Sequence, residues 1–174
     1  LADIQNMPEH EKYAYEGGIF YEKNSEGVIT IVDHAVLNNY DYVVPNTVVL
    51  VRSSAFYGCT GSTLKFEANG TEDLVFENAA FYNSRITSVE FPARLKQLGT
   101  TSPEQGMFYA AKTTSVTFVD TDEEPSRLTE IPAKFFEFSA GPNSLVVPRS
   151  VKKIGNEAFS PSWSGSGSNL KTLT

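Results

Sequence analysis

Val147-Pro148-Arg149-Ser150-Val151-Lys152-Lys153-Ile154-Gly155-Asn156-Glu157-Ala158-Phe159 decides the fold, because its apolar spacing, its glycine and its Ala-Phe ending recur in weaker form back to Val44. Aligned on the phenylalanine, the copies are anchored at Phe56, Phe81, Phe108, Phe136 and Phe159, with spacings of 25, 27, 28 and 23 residues by subtraction. A small or apolar residue precedes each anchor: Ala55, Ala80, Met107, Phe135 and Ala158. Five residues before the anchor stands Val51, Phe76, Ile131 or Ile154, and eight before it Val48, Leu128 or Val151. In the third copy Leu95 and Leu98 take these places, displaced by the polar insertion Thr100–Gln105, and in the second copy Asp73 interrupts the pattern. Self-similarity at this period marks a repeat architecture.

Beyond each anchor runs a short alternating segment: Leu64-Lys65-Phe66, Val89-Glu90-Phe91, Val116-Thr117-Phe118, Leu145-Val146-Val147 and Leu170-Lys171-Thr172. Such alternation predicts one brief strand per repeat, with two side chains inward and one outward. Pro45, Pro92 and Pro148 follow strands of this kind, and a residue with no N–H to give a ladder ends each of them. A unit this small cannot bury a core alone. Stacked copies pair their strands in parallel and line up their phenylalanines in one apolar column.

Ahead of the repeats, Tyr13, Tyr15, Ile19, Phe20 and Tyr21 form one β-prone run and Val28–Val32 a second. The polar loop Glu22–Gly27 between them predicts a hairpin, with Gly17-Gly18 as an entry turn or bend and a helical turn over Pro8–Glu11. The expected organisation is therefore an N-terminal hairpin cap over residues 1–42 followed by about five repeats of 23–28 residues over 43–174.

The stretch from Val147 to Phe159, with Asn169-Leu170-Lys171-Thr172-Leu173 after it, resembles the BspA-type leucine-rich repeat, whose unit runs Ile-Pro, x-x-Val-x-x-Ile-Gly-x-x-Ala-Phe, then x-x-Cys-x-x-Leu. Ala55-Phe56-Tyr57-Gly58-Cys59 is similar to that unit's Ala-Phe-x-x-Cys step, and Gly18-Ile19-Phe20-Tyr21 with Val28-Ile29-Thr30-Ile31 to the hairpin that often precedes such repeats. The resemblance implies a mainly β repeat solenoid, a right-handed leucine-rich-repeat stack with one short parallel strand per repeat. It also implies a secreted or surface-exposed protein of bacteria or protist parasites that binds host or extracellular components, with no catalytic residues to carry over.

Composition narrows the partners. Fourteen Lys plus Arg against 21 Asp plus Glu leave a formal charge of -7, which repels a phosphate backbone, and Arg149 with Lys152 and Lys153 is too small a basic cluster to reverse that. No apolar run reaches the length of about 18 residues needed to span a bilayer. One cysteine, Cys59, makes no internal disulfide. As a nucleophile Cys59 would need a base such as His34, but it stands three after an anchor, where the repeat wants a small buried residue. His10 and His34 lack metal-ligand spacing. The acidic run Asp120, Asp122, Glu123 and Glu124 lacks the spacing and mid-loop glycine of a calcium loop. Gly165-Ser166-Gly167 lacks the Lys-Ser/Thr step of a phosphate loop, and Asn69-Gly70-Thr71 has the form of a glycosylation sequon. Neither metal nor cofactor is expected.

Candidate binding residues lie between the core positions. The outward strand positions Lys65, Glu90, Thr117, Val146 and Lys171 are expected to form a row on one sheet face, and Trp163 sits in a Ser/Gly-rich loop where an aromatic side chain can anchor a partner. Three readings follow. The first is a non-catalytic extracellular module that binds a protein or matrix component through its sheet face and insertion loops. The second is a surface glycan-binding protein of a nutrient-uptake system, on the strength of Trp163 and the tyrosines outside the core positions. The third is a structural spacer, since Thr174 lies close to a strand with no polar capping repeat after it.

Overall fold

The structure is a computed structural model that describes residues 10–38, 41–100, 103–160 and 170–174. Its described residues form strands and turns with no helix. The chain opens as a meander of β1 (Tyr13–Glu16), β2 (Ile19–Lys23) and β3 (Ile29–Ala35), paired antiparallel. Gly17 and Gly18 both have positive φ, 55° and 87°, so they close a tight two-residue turn whose twist suits a hairpin. The first β-prone run is thus itself a hairpin, and the cap has three strands. Pro8 and Glu9 lie outside the described residues, and His10 and Glu11 are not helical.

The expected parallel strands after the first three anchors form, and each repeat adds a second strand, whereas those expected over 145–147 and 170–172 are strand only at Ser144–Leu145 and Thr172–Leu173. The first set is β4 (Tyr42–Val44), β6 (Thr60–Phe66), β8 (Arg85–Phe91) and β10 (Ser115–Phe118), which pair parallel in that order into one sheet. The second set is β5 (Leu50–Val51), β7 (Leu74–Phe76) and β9 (Leu95–Leu98), which add in parallel to β3 and so fuse the cap to the stack. The interruption at Asp73 is repaired one residue later, where buried Leu74 pairs with Leu95. Pro45 and Pro92 come directly after β4 and β8, as expected of residues that cannot continue a ladder.

A turn joins each second-set strand to the next first-set strand, and its backbone repeats closely. In Ser53–Gly58, Asn78–Asn83 and Ala133–Phe138 the second and last residues are left-handed: Ser54 and Gly58, Ala79 and Asn83, Lys134 and Phe138. The anchor is the fourth residue. Turn-to-turn hydrogen bonds stack these segments, with N–H groups of Phe56, Phe81, Phe108 and Phe136 donating to the carbonyls of Ala80, Met107, Phe135 and Ala158 at 2.9–3.1 Å. The anchors therefore lie over one another. Phe56 to Phe81, Phe81 to Phe108 and Phe108 to Phe136 have ring centroids 5.1, 4.7 and 5.3 Å apart. A second column, Phe66, Phe91 and Phe118, stacks beside it at 6.3 and 5.3 Å.

Both sheets stop after the third repeat. Strands β11 (Glu130–Ile131) and β13 (Lys153–Ile154) pair with each other, as do β12 (Ser144–Leu145) and β14 (Thr172–Leu173), but neither set joins β9 or β10. Along the chain, the polar segments Thr100–Gln105 and Asp120–Pro125 fall at this interruption. In the two-stranded β11–β13 sheet, Ile154 is 44% exposed where its equivalents Val51, Phe76 and Ile131 are fully buried.

An ionic clasp crosses the interruption. Asp120 accepts hydrogen bonds from the N–H groups of Arg149 (2.7 Å) and Ser126 (3.1 Å), while the Arg149 guanidinium reaches Asp120 at 3.3 Å and Asp122 at 2.7 Å. Those N–H groups, Arg149 first, and then the guanidinium hold the Asp120 carboxyl below the usual carboxylate range. A carboxylate depressed on folding stabilises the fold above its unfolded pKa, about 3.9, and that contribution fades as pH falls through the lower folded value. Asp120→Asn is therefore expected to lower the thermal midpoint by a few degrees at pH 7 and by less at pH 3. A difference as large at pH 3 would contradict the clasp.

Candidate binding surface

The first-set sheet presents its middle positions outward in register. Val43 pairs with Lys65, Lys65 with Glu90, and Glu90 with Thr117. Val43 is 58% exposed, and Lys65 and Glu90 form an ion pair at 3.0 Å across the strands. An exposed cross-strand pair of this kind contributes well under about 1 kcal/mol, so its side chains are available to a partner at small cost. Three of the expected residues, Lys65, Glu90 and Thr117, are thus brought together, and Val43 joins them at the start of the row.

Val146 and Lys171 do not extend it. Val146 is exposed but belongs to the segment after the interruption, and β12 aligns Leu145 with Leu173, so Thr174 rather than Lys171 comes level with Val146. Lys171 precedes β14 and gives its N–H to the Asn143 carbonyl at 2.8 Å. Trp163 lies outside the described residues.

A second exposed row gathers tyrosines that the sequence offers only as scattered positions outside the core. The residue after the anchor is Tyr57, Tyr82 or Tyr109 in the first three repeats, and their ring centroids follow one another at 5.2 and 5.4 Å. Phe138 completes the row 5.2 Å from Tyr109. The signal for three of the four was present one column beyond the aligned phenylalanines. Phe138 gave none, because it stands two residues after its anchor.

Groups with chemical potential elsewhere are engaged structurally. Cys59 is buried, its thiol is pushed up in pKa by that burial, and it donates to the Ala35 carbonyl at 3.1 Å. His34 is exposed on β3. Arg94, 3% exposed, gives one nitrogen to the Val48 carbonyl at 2.8 Å and so ties the third repeat to the first. Its pKa is drawn down by burial and then by nearby Arg127. The acidic loop spends Asp120 and Asp122 on Arg149, and among the described residues no group of three or more His, Cys, Asp or Glu side chains is placed to hold a metal. A cleft of about 280 Å³ beside β9, lined by Lys96, Gln97, Leu98, Thr129, Glu130 and Pro132, brings no nucleophile next to a base.

The family model for the BspA-type leucine-rich repeat region, of six copies, matches residues 35–165, more than half the chain. The chain belongs to the BspA-type leucine-rich repeat family. Among solved structures, it is similar to a leucine-rich cell surface protein from Faecalibacterium prausnitzii A2-165, with 14% identity and a TM-score of 0.32 over 98% of this chain and 55% of that one. The chain spans about half the length of that protein. No curated protein matches it.

Each step of the BspA-type unit has a physical place in the stack. Its Ala-Phe step is the inward part of the six-residue turn, and its Cys position is the buried site of Cys59. Its Ile-Gly step puts Gly155 against the preceding turn, where an added Cβ would meet the Ala133 N–H, with Ala133 Cα and the Pro132 carbonyl carbon both at 2.7 Å. Leucine-rich repeats are generally a non-catalytic scaffold, and what varies between copies is the exposed row and the turn residues. Among the described residues no helix is long and apolar enough to cross a membrane.

Proposed function

We propose that this chain is a binding module of a secreted or cell-surface protein and that it recognises a protein or matrix component without catalysing a reaction. The observation that carries this reading is the row Val43, Lys65, Glu90 and Thr117, which the strand register delivers to one exposed sheet face from four successive strands. Membership of the BspA-type family supports the surface location and the role of a scaffold. In this reading residues 1–42 are a cap hydrogen-bonded to the stack through β3, and residues 43–174 are the repeats.

A row that mixes an apolar side chain, two opposite charges and a hydroxyl suits a protein surface, where complementary charges set orientation and a small apolar contact excludes water. The test immobilises the chain, screens purified extracellular-matrix and secreted proteins, and titrates any that bind. The double variant Val43→Asp, Thr117→Arg is expected to weaken the identified partner at least tenfold while leaving the melting curve within a few degrees, since both side chains face outward. Binding that survives in that variant would overturn the assignment of the row.

A further inference from the structure

The aromatic row on the turns is the feature that this function leaves unused. Tyr57 is 49% exposed, Phe138 is 38% exposed, and Tyr82 and Tyr109 are half-buried between them. Successive rings meet at interplanar angles of 59°, 75° and 75°, so the first pair is tilted, the next two are edge to face, and together they form one continuous strip. None of the three tyrosine hydroxyls has a hydrogen-bond partner among the described residues.

The last ring comes from a different position of the turn. By repeat position the fourth member is Glu137, which is half-buried and paired with Lys134 at 3.4 Å. The aromatic group comes instead from Phe138, held in the left-handed region at φ 53°. Equivalent positions hold Gly58, Asn83 and Ala110, small or amide residues that tolerate this conformation better. A bulky aromatic residue is uncommon in that conformation, which all four of these turns adopt.

We propose that Tyr57, Tyr82, Tyr109 and Phe138 form a second binding site, which takes an extended neutral glycan chain running along the stack axis. The spacing of 5.2–5.4 Å is that of neighbouring turns, and it is close to the advance per ring of an extended β-linked hexose chain. The pyranoses then lay their apolar C–H faces along the exposed side of the strip, whose rings are inclined to one another and so meet them by face and by edge in turn, while the tyrosine hydroxyls bond to sugar hydroxyls. An extended peptide fits less well, because its same-face side chains recur every 6.5–7 Å or so and drift out of step within the strip. Charge selects the neutral class. The strip itself carries no charge, and the protein's formal charge of -7 opposes an acidic polysaccharide.

The inference does not depend on the sheet row, and its test uses other residues. Affinity gel electrophoresis with barley β-glucan, hydroxyethylcellulose, glucomannan, xylan and the acidic polymer pectate compares the native chain with Tyr82→Ser, Tyr109→Ser. Retardation by at least one neutral polymer is expected, with the dissociation constant raised tenfold or more in the double Ser variant. Tyr82→Phe, Tyr109→Phe, which keeps the rings, is expected to lose less than the Ser pair. The sheet variant Val43→Asp, Thr117→Arg should bind glycan as the native chain does. Should the double Ser variant fail to fold, Tyr57→Ser at the exposed end of the strip gives the same comparison. Absence of retardation by every neutral polymer, retardation unchanged by the Ser substitutions, or preference for pectate would each overturn the proposal.

Discussion

Replacing Phe81 with Ala is expected to lower the stability of the stack by about 3–5 kcal/mol, near the upper end for a single core truncation. Phe81 has no exposed surface and sits in the middle of the anchor column. Its ring is stacked on Phe56 at 5.1 Å and on Phe108 at 4.7 Å, both within 11° of parallel, and Phe76 and Phe91 approach it at 5.9 and 6.2 Å. Truncation removes the transfer energy of a buried ring and these pair contacts, each worth about 0.5–1.5 kcal/mol beyond burial. The cavity cannot collapse cheaply. The turns above and below are held at fixed spacing by the Phe56-to-Ala80 and Phe81-to-Met107 backbone hydrogen bonds, at 2.9 and 3.1 Å. Phe159→Ala supplies the contrast: that ring is half-buried and its nearest anchor, Phe136, is 6.2 Å away, so a loss of about 1–2 kcal/mol is expected. Urea unfolding of both variants measures the difference, and equal losses would show that the column is not what holds the repeats together.

Gly106→Ala is expected to cost about 3 kcal/mol, the top of the usual range for overpacking, because the added atom meets backbone and not a movable side chain. A Cβ at Gly106 would fall on the Lys134 carbonyl oxygen, with the carbonyl carbon at 2.6 Å. Relief requires the third and fourth turns to part. That motion strains the bonds from the Phe108 and Ala110 N–H groups to the Phe135 and Glu137 carbonyls, at 3.0 and 3.1 Å. These bonds matter more here than elsewhere, since the flanking sheets are already interrupted at this point. Gly58→Ala separates this steric effect from backbone preference: Gly58 has φ 65° and open space around its missing Cβ, so only the left-handed penalty of about 1–2 kcal/mol applies. Thermal melts should rank Gly106→Ala below Gly58→Ala in stability. In hydrogen exchange, Gly106→Ala should expose the segment after Gly106 first. The opposite order would place the strain elsewhere.

The anchors were legible because a buried position in a repeat has the same surroundings in every turn and so tolerates few side chains. Phe56, Phe81, Phe108 and Phe136 recur at spacings of 25, 27 and 28 residues, each after a small or apolar residue, and all four are buried. Even the misfit at Asp73 concealed only a one-residue offset to Leu74. The second strand of each repeat was harder to see. Leu50–Val51 and Glu130–Ile131 are two residues long, too short for alternation to register, and they exist because a neighbouring turn is there to bond to.

The binding surfaces were less legible. Lys65, Glu90 and Thr117 follow from alternation within each strand, a local property. Lys171 was assigned by the same rule, but its place depends on how β14 registers against β12, and a shift of register moves a side chain to another position without any change in local pattern. Tyr57, Tyr82 and Tyr109 become a strip only when three turns are superposed, and Phe138 joins only through its backbone conformation.

By itself, then, the amino-acid sequence determined the repeat, its anchors, the parallel strand after each of the first three anchors and the family, since each of these depends on periodic burial that any stacked arrangement must satisfy. Tertiary structure alone decided the three-stranded cap, the interruption after the third repeat, the clasp of Arg149 on Asp120 and Asp122, and the aromatic strip. Those features join residues through the register between turns, and register is set by hydrogen bonds and insertions across the whole stack, which no single repeat encodes.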